Sequence, residues 1–492
     1  MFKEYQDYKK KLSYYHRMIN LMSWDLRAKA PENSRENKYE AIEFFGNEIF
    51  KLETDPKFGE LLYKLNDSSD DLNDAQKLSI KRDLKGYERF INVPGTFEAQ
   101  YNTMQAKCEA TWARAKAEND YASFAPALAK NIEMTKERMG YIFPGKDTYD
   151  ALLDLWDYGL KTEDLDRIFK GVKDGIAPFI DDIKGKEVKK TKCDELTASP
   201  ETMEKVQNFL LDYIGFDFKR GTTGDSPHAL SSVIDPHDVR ITNRLYGRHP
   251  LEVCLSAIHE GGHALYQQNV NPSYIGLAPN DLIYSDIHES MSRFMENTLA
   301  RNVEFWLPVY DDLCNIWPEF KGVEPDDLNL FLNRWACSEV RTEADEMTYC
   351  MHIILRYEIE LMMFRGNVSV NELSDVFSDK MKQYLGVTPK DQAHGILQDM
   401  HWSSVFYGYF PSYLLGSIYD GMYLEKMTDD LGDVKKLLLN KEMPKINNWL
   451  NKNIRSHGSL YDAPTLIKNL TGKEVSSDAM IRYFASKRGM QI

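Results

Sequence analysis

The apolar positions of the chain recur mainly at three- and four-residue intervals, as in "FEAQYNTMQAKCEATWARAKAENDYASFAPALAKNIEMTKERM" (97–139). That spacing marks one face of an α-helix, and the two-residue alternation of a half-buried strand is rare along the sequence. Helices are therefore predicted over most of the length. They are broken at "NVPG" (92–95), "FPGKDTYD" (143–150), "GTTGDSPHA" (221–229), "NVNPS" (269–273), "GVEPDD" (322–327) and "GVTPKD" (386–391). Each break carries Gly, Pro or a capping Asp or Asn. None is long enough to be a flexible linker and no internal repeat is present, so the pattern predicts an all-α fold. One large domain over residues 1–492, with two lobes around a cleft, is the expected organisation.

The stretch "AIHEGGHALYQQ" (257–268) reads as helix yet places Gly261 and Gly262 in its middle, at about 1 kcal/mol each relative to alanine. Residues four apart stand one above the other on a helix, so His259 and His263 present two imidazoles to one point. Glu260 lies about 100° round and can reach a ligand bound there. This is the H-E-x-x-H arrangement of a metalloprotease. With 11 histidines in the chain the motif is specific but not sufficient alone. The plain alternative is a pair of helix histidines bonded to carbonyls beside a surface glutamate. A catalytic zinc takes a third protein ligand and keeps a position open for water. The following segment "SDIHESMSRFMEN" (285–297) offers Glu289 and His288. No histidine lies between 263 and 288, so two histidines with Glu289 form the expected set. The glycines are then expected to leave room beside the metal or under the substrate for another backbone, against the simpler reading of a tight helix–helix contact.

Composition narrows the class. A chain of 492 residues, 42% hydrophobic and 12% aromatic, can bury a substantial core. Its formal net charge of −15 disfavours nucleic acid and anionic membrane as partners, and "KGKEVKKTK" (184–192) reads as a solvated loop. The start has no apolar segment suited to a signal peptide and no run approaches the roughly 18 apolar residues of a membrane span, so a soluble, cytoplasmic protein is expected. Cys108, Cys193, Cys254, Cys314, Cys337 and Cys350 include no C-x-x-C pair and are expected to be buried free thiols.

Four further stretches accompany HEGGH: "DVRIT" (238–242), "HES" (288–290), "VRTEAD" (340–345) and "GILQDMHW" (395–402). In order and rough spacing the set resembles the signature of the Taq-type metallocarboxypeptidases, a family of helical zinc exopeptidases. Weaker similarity at "WD" (24–25), "VP" (93–94) and "YDALLD" (149–154) spreads the resemblance over nearly the whole chain. The resemblance implies a fold similar to the helical neurolysin and angiotensin-converting peptidases, with the site deep in a groove, and a homodimer. It implies His259, His263 and Glu289 as metal ligands and Glu260 as general base. One divalent ion per chain, zinc or cobalt, and peptide substrates with a free C-terminal carboxylate follow from the same resemblance.

Charge developing on the scissile carbonyl oxygen needs a donor, and "HWSSVFYGYFPSY" (401–413) offers His401, Tyr407, Tyr409 and Tyr413. Similarity to the converting-type enzymes points to Tyr409 assisted by His401, with core packing as the alternative for the tyrosines. A terminal carboxylate is best met by the planar fork of arginine. The resemblance points to Arg341, with Arg240 as second choice; the bland reading of Arg341 is an intrahelical pair with Asp345. Asp238 and Asp345 are alternatively expected to orient a ligand histidine. One departure stands out: "SPHALS" (226–231) keeps His228 but has Ala229 and Leu230 where the family usually has Pro and Phe, which alters one pocket wall and with it substrate preference. Two competing readings remain, an endopeptidase or dipeptidyl carboxypeptidase on the same scaffold and a non-catalytic peptide-binding protein. The intact Glu260 and ligand set argue against the latter.

Overall fold

The computed structural model of the chain describes residues 1–68 and 70–489. Its helices of nine residues or more begin with α1 (Phe2–Ala28), α2 (Arg35–Glu53), α3 (Pro56–Asp67), α4 (Asp74–Phe90), α5 (Gly95–Glu118), α6 (Tyr121–Ile142), α7 (Thr148–Trp156), α8 (Thr162–Ile183) and α9 (Pro200–Tyr213). A three-stranded sheet follows, with β1 (Gly221–Asp225), β2 (Leu230–Asp235) and β3 (Asp238–Asn243). Helices then resume as α10 (Pro250–Gln268), α11 (Ser285–Arg293), α12 (Thr348–Arg365), α13 (Leu373–Leu385), α14 (Phe410–Leu431), α15 (Met443–Asn453), α16 (Ala463–Thr471) and α17 (Asp478–Arg488). Several starts follow the capping rules: Asp55, Ser199 and Asp462 each accept a free first-turn N–H, and each stands next to or one residue from a proline that needs none.

The mostly helical expectation holds, and the sheet is the local exception. β3 lies between its neighbours, parallel to β1 and antiparallel to β2. Val239 and Ile241 are buried on one face while Arg240 turns to the other, over the Trp24 ring of α1. An alternation this short does not stand out from helical spacing, and the stretch 221–229, expected as a turn, supplies β1. Gly221 permits the pairing there, since a Cβ on it would lie 2.2 Å from the Val239 carbonyl oxygen.

One large apolar core runs from α5 to α17. A smaller cluster, including Tyr5, Phe58, Leu62, Ile80 and Leu84, joins α1, α3 and α4. Arg82 of α4 ties this unit to the rest through Ser459 Oγ at 2.7 Å and Tyr284 Oη at 3.1 Å. The six cysteines are free as expected, although Cys314 and Cys337 are half-buried rather than buried. Both pack against the edge of the main core. Among the described residues no helix is long and apolar enough to cross a membrane.

Candidate metal centre and substrate cavity

α10 begins at Pro250, with the His249 side chain accepting the Leu251 N–H. It is buried nearly all round: only Glu252, Ser256, His259 and His263 escape burial, a single stripe at helical spacing. The two imidazoles of that stripe have ring centroids 4.9 Å apart. A helix so enclosed has to let its neighbours in, and here the glycine pair finds its explanation. A Cβ on Gly262 would lie 2.5 Å from the Met291 carbonyl oxygen and 2.6 Å from Ser292 Cα, both backbone atoms of α11. A Cβ on Gly261 would meet Ile214 and Leu211 at 2.6 and 2.7 Å. The glycines therefore serve helix–helix contact, the simpler of the two readings. The contact nonetheless matters to the site, because α11 carries Glu289.

Glu289 is 4% exposed, and its Oε2 is buried without a hydrogen-bond partner. That oxygen lies 3.8 Å from His259 Nε2 and 3.9 Å from His263 Nε2. One ligand atom from each of the three residues falls within 4.8 Å of the others. A buried carboxylate oxygen facing two imidazole nitrogens, with nothing donating to it, is the donor set a divalent cation completes. The opposite nitrogens are held from behind. His259 Nδ1 bonds Glu296 Oε2 at 2.9 Å, and Arg301 in turn bonds Glu296 Oε1 at 3.1 Å. His263 Nδ1 bonds Nδ1 of His288. Both ring orientations are thus set so that Nε2 faces Glu289. Burial raises the Glu296 carboxyl, but the His259 bond and Arg301 outweigh it and hold it at about 2.

These partners correct two expectations. His288, weighed as an alternative ligand, instead backs His263. Asp238 and Asp345, expected to orient a ligand histidine, are engaged elsewhere: Asp238 holds Arg240 at 2.8 Å, and Asp345 accepts the Met347 and Thr348 N–H groups at 2.9 Å to start α12. Glu296 was missed in the sequence. It lies two turns after Glu289, and the chain there continues from α11 as a π-helical stretch, Phe294–Ala300. The seven-residue spacing was the signal that could have found it.

Glu260 follows His259 on α10 and is 7% exposed; burial pushes its carboxyl up to about 7, against the pull of His259. Its carbonyl accepts from Ser231 Oγ of β2 at 2.8 Å. Tyr409 Oη donates to Glu289 Oε1 at 2.8 Å, which places it beside the ligand set. Tyr413 Oη shares a 3.3 Å hydrogen bond with His401 Nε2, and burial together with Arg341 lowers the His401 imidazole to about 3. Tyr407 is fully buried against Phe364 and belongs to the core.

The cavity beside these residues measures about 650 Å³ and is lined by His259, Glu296, Arg341, Tyr349 and Tyr413 among others, a size that suits a short peptide. Arg341 stands in a single 3₁₀ turn rather than on a helix with Asp345. Its guanidinium binds Asp399 at 2.9 Å and Tyr349 Oη at 2.8 Å, and Asp399 also takes Arg356 at 2.6 Å. Arg240 lies on the face of β3 opposite α10, held by both oxygens of Asp238. His228 is exposed in the loop between β1 and β2. The structure thus brings His259, His263, Glu260, Glu289, Tyr409, His401 and Arg341 to one region and leaves Arg240 across the sheet.

Comparison with known proteins agrees with this geometry. The family model described as carboxypeptidase Taq (M32) metallopeptidase matches residues 4–488. The chain belongs to this family. It is 35% identical over 487 residues to carboxypeptidase 1 of Bacillus subtilis, covering 99% of this chain and 97% of the relative. Thermostable carboxypeptidase 1 of Thermus thermophilus is 29% identical, with 98% of this chain and 97% of the relative covered. The crystal structure of M32 carboxypeptidase from Deinococcus radiodurans superimposes with a TM-score of 0.94 at 25% identity, covering 99% of this chain and 98% of that one. The peptidase is accordingly a metal-dependent carboxypeptidase with a mainly helical fold.

Proposed function

We propose that the peptidase acts on peptides with a free C-terminal carboxylate and releases single amino acids from that end, with residues 1–492 working as one catalytic domain. The observation that carries this reading is the convergence of His259 Nε2 and His263 Nε2 on the partnerless Glu289 Oε2. Two imidazoles and one carboxylate suit zinc, with cobalt as the alternative. When bound, such an ion polarises the scissile carbonyl and lowers the pKa of a bound water to about 7.

Glu260 is the proposed base. Its carboxylate takes a proton from the attacking water and passes it to the leaving amine nitrogen, so the C–N bond breaks without a covalent enzyme intermediate. A carboxyl lifted to about 7 by burial is matched to both halves of that transfer. Tyr409, assisted by His401, is the proposed donor to the negative charge growing on the carbonyl oxygen. To act so it has to exchange its bond to Glu289. Tyr413 lines the cavity with its hydroxyl held by His401, an observation that makes it the second candidate. Arg341 is proposed to meet the terminal carboxylate, its fork aligned by Asp399 and Tyr349. Arg240 stays second because it lies across the sheet, over Trp24, while Arg341 lines the cavity. His228, beside Ala229 and Leu230, is proposed to border the pocket wall that sets side-chain preference. Family resemblance supports a homodimer, which light scattering tests.

Glu260→Gln is expected to retain the metal and lose about 10²–10⁴-fold in kcat. Mass spectrometry of peptide digests is expected to show single residues leaving in order from the C-terminal end. Dipeptide release or internal cleavage would replace this reading with the dipeptidyl or endopeptidase alternative.

A further inference from the structure

Arg293 ends α11 four residues after Glu289 and lines the cavity beside His259. It is 5% exposed. Its Nε donates to Ser417 Oγ at 2.5 Å, and its guanidinium carbon lies 4.4 Å from the centroid of the Tyr349 ring. Among the described residues its terminal nitrogens make no hydrogen bond and no carboxylate lies within ion-pair distance of it. Every other arginine on the cavity wall is paired: Arg248 with Glu252, Arg301 with Glu296, Arg334 with Asp194 and Arg341 with Asp399. The carboxyls closest in charge to Arg293 are engaged as well. Glu296 is held by His259 and Arg301, and Asp420 accepts from Ser290 Oγ at 2.6 Å.

Against burial, Tyr349, Glu296 and Asp420 favour the charged form of Arg293, and terminal nitrogens that face a cavity with no bond among the described residues can both be offered to an anionic ligand. Resting on the carboxypeptidase reading above, we infer that Arg293 supplies the positive charge that binds the substrate's terminal carboxylate, with Arg341 as the second arm of the clamp. Both guanidiniums flank the Tyr349 ring, Arg341 with its carbon 5.7 Å from the centroid. Arg341 and Arg356 share Asp399, which leaves that trio one net positive charge, and the bonds to Asp399 and Tyr349 fix the direction of the Arg341 fork. Arg293 brings terminal nitrogens that make no hydrogen bond among the described residues.

The test compares a blocked dipeptide with its C-terminal amide on the metal-loaded enzyme. Arg293→Met is expected to raise KM for the free acid and lower the acid-to-amide ratio of kcat/KM by about 30-fold or more, with metal stoichiometry and Tm preserved. Guanidinium chloride at millimolar concentration is expected to restore part of the acid rate and none of the amide rate, which a merely structural role would not produce. In the wild-type enzyme, an N-acetyl amino acid is expected to shield Arg293 from phenylglyoxal in peptide mapping while its amide does not, a measurement independent of how the variant folds. If the wild type prefers the acid but Arg293→Met keeps that preference, or the acid gives no shielding, the assignment of Arg293 is overturned and the carboxypeptidase reading stands. If the wild type cleaves acid and amide alike, that reading itself falls.

Discussion

Replacing Gly262 with alanine separates helix propensity from packing. Alanine gains about 0.8–1.0 kcal/mol over glycine in a helix interior. Against this, the new Cβ would sit 2.5 Å from the Met291 carbonyl oxygen, where an ordinary contact is 3.4–4 Å, a shortfall of about 0.9 Å. The obstacle is backbone, so no rotamer relieves it. α11 has no room to retreat either, because on its far side a Cβ on Gly416 of α14 would already lie 2.8 Å from the Ser290 amide nitrogen. Overpacking of this kind costs typically about 1–3 kcal/mol, so the net change is a destabilisation of about 0–2 kcal/mol. The larger effect is expected at the site. A shift of nearly 1 Å in α11 carries Glu289 away from the two imidazoles, and a misplacement of about 1 Å is worth roughly 100-fold in rate. Gly86→Ala in α4, where a Cβ meets nothing within 4 Å, is the control and should stabilise by up to about 1 kcal/mol. Thermal unfolding, metal titration and kcat/KM on a blocked dipeptide measure all three quantities. A Gly262→Ala protein with raised Tm and unaltered metal affinity and rate would refute the claim that α10 and α11 meet through this glycine.

Glu296→Ala removes the carboxylate behind His259 without touching a proposed ligand, and metal affinity should fall about 10–100-fold by titration; undiminished affinity would return Glu296 to a simple ion pair with Arg301. Tyr409→Phe and Tyr413→Phe distinguish the oxyanion candidates: the true donor should lose about 2.7–4 kcal/mol of transition-state stabilisation in kcat with little change in KM, whereas loss of metal affinity in Tyr409→Phe would mark a residue that orients Glu289. Glu360 is buried under Tyr149, Trp402 and Gly408, and burial pushes its carboxyl up to about 7 despite those bonds, against about 4.3 unfolded. Its contribution to stability is fully present below the unfolded value and lost as pH rises through 7, which amounts to about 1.4 kcal/mol between pH 6 and 8; the fall in Tm over that window should flatten in Glu360→Gln, and an unchanged slope would place the titration elsewhere.

Local rules were enough to read much of this protein from its sequence. Apolar spacing marks the helices, and residues four apart on one helix bring His259 and His263 together whatever surrounds them, since the helix itself sets that geometry. The segment after HEGGH offered Glu289 at short range, whereas Arg341 and the donors of 401–413 were singled out by the resemblance that the motif order carries. Arg293 and Glu296 were present in the same quoted segment as Glu289, yet nothing local distinguishes a guanidinium left unpaired from one with a partner. That is decided by where His259, Asp399, Ser417 and Tyr349 arrive from distant segments. The same holds for His288, which changes from candidate ligand to support for His263 according to the approach of α11. Gly261 and Gly262 carry the lesson furthest. Their cost to the helix is local and visible in sequence, but the benefit is a backbone-to-backbone contact with another helix, and close packing between elements far apart in the chain exists only once the tertiary structure has formed.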